Sequence, residues 1–150
     1  MIVKLFYSYA HEDEEWRRAL EKHLSLMKNQ SLIEGWSDRD IQAGGEWEEK
    51  ISNQLHEATI ILLLISPDFM ASAYCYSIEM KEAMKRQTTG EAVVIPIIIR
   101  PVDWQQAPFG KLQALPTNGK PVTSWSNKDE AFYDVARGIR RVVEALRKSP

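Results

Sequence analysis

The sequence predicts an α/β domain, a parallel sheet with helices on both faces, and three observations carry that expectation. Segments of strand and helix character alternate five times along the chain. Thr59 to Ile65 is an unbroken apolar run, the pattern of a strand buried on both sides. At 150 residues the chain suits one domain with room for a core on each face of a sheet. Right-handed crossovers then apply, and five such units most often take the flavodoxin-like order 2-1-3-4-5. One domain spanning 1–150 is expected. Its abrupt stop at Ser149-Pro150, directly after a helix, reads as that of a domain cut from a longer protein.

Ile2 to Tyr9, rich in β-branched and aromatic residues, gives the first strand. Trp16, Leu20, Leu24 and Met27 recur at helical spacing after it, and Glu12 to Glu15 suit that helix's first turn, where the dipole favours negative charge. A short second strand, Leu32 to Trp36, leads into the polar loop Ser37 to Gly45, whose Gly44-Gly45 pair permits a sharp turn. Trp47, Ile51, Leu55 and Ala58 share one face of the second helix. Thr59 to Ile65 is the third strand, stopped by Ser66-Pro67-Asp68, and a third helix runs from Ala73 to Gln87 and ends at Thr88-Thr89-Gly90. Ala92 to Ile99 is the fourth strand, which Pro96 places near an edge or at a bulge. Prolines and glycines make Arg100 to Gly119 a loop, Val122 to Trp125 is a short fifth strand, and Val135, Ile139, Val142 and Leu146 form the apolar face of the last helix.

Composition narrows the class. Acids and bases are interleaved at a net charge of -2, with no single-sign field to grip a phosphate backbone, so nucleic acid is not an expected partner. Charged residues interrupt every apolar run before membrane-spanning length, and no membrane partner is expected. The opening segment lacks a cleavage site, and the single cysteine, Cys75, excludes an internal disulfide, so cytoplasm is the expected compartment. A glycine-rich dinucleotide fingerprint, a phosphate-cradling Gly-Lys-Ser/Thr loop and a Gly-x-Ser-x-Gly elbow are all missing, which counts against dehydrogenase, P-loop NTPase and serine hydrolase. The three histidines are scattered singly, and no metal site is expected.

In an open parallel sheet the loops that follow the strands form the ligand crevice, where the loops Ser8 to His11 and Ser66 to Ser72 are expected to meet. At about 100° per residue, Ser72, Cys75 and Glu79 share one flank of the third helix. Glu79 has a plain reading, a solvated acid pairing with Lys81 or Lys85. It also has a functional one: a half-shielded carboxylate beside the crevice would stabilise positive charge developing on a sugar carbon, or hold ribose hydroxyls. Cys75 reads as a nucleophile or as a small buried hydrophobe, and the lack of a histidine near it in the chain favours packing. Arg39 either pairs with Asp38 and Asp40 or reaches a phosphate or a neighbouring subunit. Tyr7, Tyr9, Trp36, Tyr74 and Trp125 lie near strand ends, where a ring stacks on a base or simply packs.

Taken in order, Phe6-Tyr7-Ser8-Tyr9-Ala10-His11-Glu12-Asp13, Trp36-Ser37-Asp38-Arg39-Asp40-Ile41 with Gly44-Gly45-Glu46-Trp47, and Ile65 to Met80 resemble a bacterial TIR (Toll/interleukin-1 receptor) domain. Ile95 to Pro101, Ala114-Leu115-Pro116 with Gly119 to Val122, and Ala131-Phe132-Tyr133 extend the resemblance over nearly the whole chain. It implies self-association through the loop that carries Asp38, Arg39, Asp40, Ile41, Gly44 and Gly45. It also implies, as in catalytic members, cleavage of NAD+ between nicotinamide and ribose to give ADP-ribose or a cyclised form, as an effector in antiviral defence. NAD+ is then the substrate and no cofactor is needed. The family's essential glutamate falls on Glu79, with Phe6, Ser8, Tyr9, Arg39, Ser72, Tyr74 and Cys75 lining the substrate pocket. Tyr74 stands where many relatives have Trp, and three residues rather than two separate Cys75 from Glu79, which leaves Glu82 as a second candidate. A non-catalytic TIR interaction module is the alternative, and a nucleoside deoxyribosyltransferase-like enzyme a third.

Overall fold

Six consecutive apolar residues, Ile60–Ile65, are buried along their whole length because helices cover both faces of the strand they form. This is β3 of a computed structural model that describes residues 1–37, 47–72 and 77–148, the side chains of residues 47 and 48 excepted. The strands are β1 (Val3–Ser8), β2 (Ile33–Trp36), β3 and β4 (Val93–Ile98). Between and after them come α1 (Glu14–His23), α2 (Ser25–Asn29), α3 (Trp47–Glu57), α4 (Pro67–Ala71), α5 (Ile78–Thr89) and α6 (Lys128–Lys148).

The sheet is parallel in the order β2-β1-β3-β4. Phe6 pairs with Trp36 and Ile61, Ser8 with Leu63, and Ile65 with Ile98. Alternation along the strands divides two cores. Leu5, Tyr7, Leu62 and Leu64 pack with Leu20, Leu24 and Met27 and with Val135, Ile139 and Val143 of α6. Phe6, Ile61, Leu63 and Ile65 pack with Ile51 and Leu55 of α3, Phe69 of α4 and Met80 and Ala83 of α5. The chain steps from β1 outward to β2 and then back across to β3 and β4, so α1 and α3 fall on opposite faces, while α5, whose crossover continues in the same direction, shares the face of α3.

The expected fifth strand is corrected to four. Among the described residues Val122–Ser124 is a single 3-10 turn, and its only backbone tie to the sheet region is Thr123 N–H donating to Ile99 O at 3.0 Å. The segment bonds to itself instead: Trp125 N–H reaches Val122 O at 3.2 Å and the Trp125 indole donates to Lys120 O at 3.1 Å. Outside β4 the sheet gains, among the described residues, one isolated bridge, Ile97 with Leu115. There Leu115 N–H donates to Pro96 O at 2.9 Å, which shows that Pro96 faces the outer edge, where its missing N–H costs nothing.

The expected third helix starts later than Ala73, and a short separate helix, α4, precedes it. Ser66 caps α4, its hydroxyl accepting from Phe69 N–H at 3.1 Å with Pro67 in the first turn. Ser77 caps α5 by accepting from Met80 N–H at 3.3 Å, so this helix begins at Ile78 rather than Ala73. Gly90, at φ 79°, closes it in the left-handed region that glycine adopts without strain.

Candidate functional site

Strand exits place the chemistry. Ser8 ends β1 and is buried on the α3/α5 side, the side of its partner Leu63. One residue pair deeper, the rings of Phe6 and Trp36 stack with centroids 5.4 Å apart on the same side. α5 leaves the β3 exit and runs back toward the start of β4, so its first turn, with Glu79, stands at the C-terminal edge of the strands. Glu79 is half-buried beside fully buried Met80, and among the described residues it has no hydrogen-bond or ion-pair partner. Glu82, one turn on, lies 3.8 Å from His56 Nδ1.

The segments that follow β1 and β3 are joined by bonds from Asp13, just beyond the expected loop Ser8 to His11. Asp13, completely buried, accepts from the Ser66 hydroxyl and from Arg100 Nε and Nη2 at 3.2 and 3.0 Å. The same Nη2 also binds Asp68. Burial works against the Arg100 charge, yet the bonds to Asp68 and Asp13 outweigh it and hold the guanidinium above the ordinary arginine range. The cation therefore persists through neutral and alkaline pH, and the exits of β1, β3 and β4 are tied by one charged node.

Tyr9 belongs to the opposite side of the sheet. Its ring packs on the α1/α6 core and its hydroxyl donates to Glu14. Arg17 there bonds Glu14 and Glu21 and lies 5.9 and 5.7 Å from the ring centroids of Tyr7 and Tyr9. Burial opposes its charge, but Glu14, Tyr9 and Glu21 raise it above the usual range. A cavity of about 190 Å³ between α1, α2 and β2, lined by Tyr7, Arg17, Glu21, Lys28 and Ser37, lies on this side too. It is across the sheet from Glu79 and is no part of that site.

The structure thus brings Phe6, Ser8 and Glu79 to one face, with Trp36, and sends Tyr9 to the other. Ser72 caps the end of α4, its hydroxyl donating to Phe69 O at 2.6 Å, and stands before residues 73–76 while Glu79 stands after them. Ser72 and Glu79 therefore do not share a helix flank. Tyr74 and Cys75, and the loop residues Asp38, Arg39, Asp40, Ile41, Gly44 and Gly45, lie outside the described residues. The node of Asp13, Ser66, Asp68 and Arg100 went unread in the sequence because its acids and its arginine are 87 and 32 positions apart. The one local signal was Asp13, the second residue of an acidic run otherwise typical of a helix start.

Comparison with known proteins agrees with this fold. A family model described as a TIR domain matches residues 5–134. The chain is 54% identical over 136 residues to an uncharacterized protein of Sinorhizobium fredii, y4lF, an alignment that covers 91% of this chain and 42% of that protein. It spans less than half of that relative's length. The crystal structure of the TIR domain of the Toll-related receptor TRR-2 from Hydra magnipapillata aligns with a TM-score of 0.59 at 20% identity, over 93% of this chain and 97% of that one, a likeness of fold.

Proposed function

The chain belongs to the TIR domain family, and from that premise we propose that it is a TIR–TIR association module that also carries an NAD+-cleaving site centred on Glu79. Family membership supports the first half, and so does the sheet order. β2 is an outer strand, so its end at Trp36 lies at the rim, where a second copy can reach it. Asp38, Arg39, Asp40, Ile41, Gly44 and Gly45 are the proposed contacts of that assembly.

The second half is favoured by one observation: Glu79 is a half-buried carboxylate without a partner among the described residues, while Asp13 and Asp68 are committed to Arg100. In the proposed reaction the bond between ribose C1′ and the nicotinamide nitrogen breaks, and its electron pair leaves with nicotinamide. Positive charge develops on C1′ and the ring oxygen. A carboxylate in a partly desolvated position stabilises that charge more strongly than it stabilises the ground state. Water then adds to C1′ and releases a proton, giving ADP-ribose; an internal nucleophile in its place gives the cyclised product. Phe6 and Ser8 are proposed to line the substrate site from β1, with Ser72, Tyr74 and Cys75 bordering it and Arg39 reaching it within an assembly.

The test is NAD+ turnover by the clustered protein, with Glu79→Ala and Glu82→Ala beside it. Glu79→Ala is expected to lower nicotinamide release by at least about 100-fold, the scale on which removing one electrostatic stabiliser acts, and Glu82→Ala to leave it close to wild type. Equal activity in Glu79→Ala would remove this residue from the mechanism. An assembled wild type that releases no nicotinamide would leave the association module standing alone.

A further inference from the structure

We propose that the charged node of Asp13, Arg100 and Asp68 is a positioning device for Glu79, which it holds by anchoring α4 and the core shared by α4 and α5. The proposal rests on the NAD+ reading above for its kinetic arm only. A completely buried carboxylate is costly unless paired, and apolar side chains of similar size would serve plain stability as well. What the charges add is a fixed geometry among three separate exits: Asp13 after β1, Ser66 and Asp68 after β3, and Arg100 after β4.

The fixed geometry passes onward through Ser66. Its hydroxyl donates to Asp13 while accepting from Phe69 N–H, so the node holds the first turn of α4 directly. With five residues, α4 is too short to hold itself and needs this outside anchor. Phe69, 1% exposed, meets the edge of Phe109 at 6.3 Å and lies in the same buried cluster as Met80. Met80 is the residue that Ser77 caps, and Glu79 immediately precedes it. Displacement of α4 shifts Phe69, repacks that cluster and turns the first turn of α5, where the carboxylate sits.

Arg100→Gln and Asp68→Asn in the clustered protein test this. With Glu79 intact, kcat for nicotinamide release is expected to fall roughly 100-fold, the cost of about 1 Å of misplacement, while the KM for NAD+ stays within about twofold because the binding contacts survive. Arg100→Lys should recover part of the loss. Val135→Ala, in the core of the opposite face, supplies a control that loses stability without touching the node and should leave kcat unchanged while folded. Hydrogen exchange gives an arm independent of the reaction: Arg100→Gln should speed exchange in both 66–72 and 77–81, and Val135→Ala should not. Faster exchange in 66–72 with 77–81 unchanged would overturn the proposal, as would an equal fall of kcat in Val135→Ala. A wild type that leaves NAD+ intact would sink the NAD+ reading instead, and the exchange arm would still decide this one.

Discussion

Replacement of Asp13 by alanine removes the one acceptor on which the Ser66 hydroxyl and two Arg100 nitrogens converge. The Ser66 loss is the larger. Ser66 is completely buried, its hydroxyl proton is left without that acceptor, and such an orphaned donor costs about 1–3 kcal/mol. Arg100 fares better, since it keeps Asp68 and its side chain is 30% exposed, so water replaces part of what it loses and about 1 kcal/mol is a fair share. A total near 3 kcal/mol follows, equivalent in a domain of this size to a fall in Tm of roughly 6–12 °C. Asp13→Asn should cost about half as much, because the amide oxygen still accepts from one donor. Urea denaturation with an unchanged m-value is the assay, and a cycle with Arg100→Ala measures the pair itself, with a coupling of about 1–2 kcal/mol expected. A stability within about 0.5 kcal/mol of wild type for Asp13→Ala, the scatter of ordinary surface substitutions, would refute the account of the node as an anchor.

Two glycines should respond differently to alanine. A Cβ on Gly110 would stand 2.1 Å from Gln105 O, a backbone atom that cannot swing aside, so Gly110→Ala should cost about 3 kcal/mol or more. On Gly138 the obstacle is the end of the Leu115 side chain at 2.7 Å, and a gain in helix propensity of about 1 kcal/mol offsets much of moving it; paired thermal melts read the difference. Tyr9→Phe removes one bond to Glu14, which keeps Arg17, so a loss of about 1 kcal/mol in denaturation is expected. The KM for NAD+ should not change, because Tyr9 packs across the sheet from Glu79.

Where a segment's fate is decided by its own pattern, the sequence was a sufficient guide. Ile60–Ile65 is continuous and apolar because both faces are covered, and Pro96 sits on an outer strand because only there is its missing N–H harmless. Val122 to Trp125 has the right residues for a strand, yet Pro121 before it and the bonds that Trp125 makes within the segment settle it as a turn. Helical periodicity in the sequence continues backward past Ser77, and only the capping bond to Met80 marks the true first turn of α5. Glu79 was legible as a carboxylate near a strand exit. The charged node was not, since no local repeat announces a bond between residues 13 and 100.

Strand parity carries the remaining step. β1 presents alternate residues to opposite sides, so Phe6 and Ser8 cannot serve the same surface as Tyr7 and Tyr9. The second pair flanks Arg17, whose guanidinium is held by Glu14 and Glu21 in a closed set of charges and rings. On that side Tyr9 is committed to Glu14 and to the α1/α6 core. The first pair lies on the side of α3 and α5, where Trp36 stacks on Phe6 and Glu79 begins its helix. A ligand that used Tyr9 would have to displace the Glu14 bond, whereas one that used Ser8 and Glu79 would meet groups on one face. The four consecutive positions Phe6 to Tyr9 are therefore one stretch in sequence and two surfaces in space.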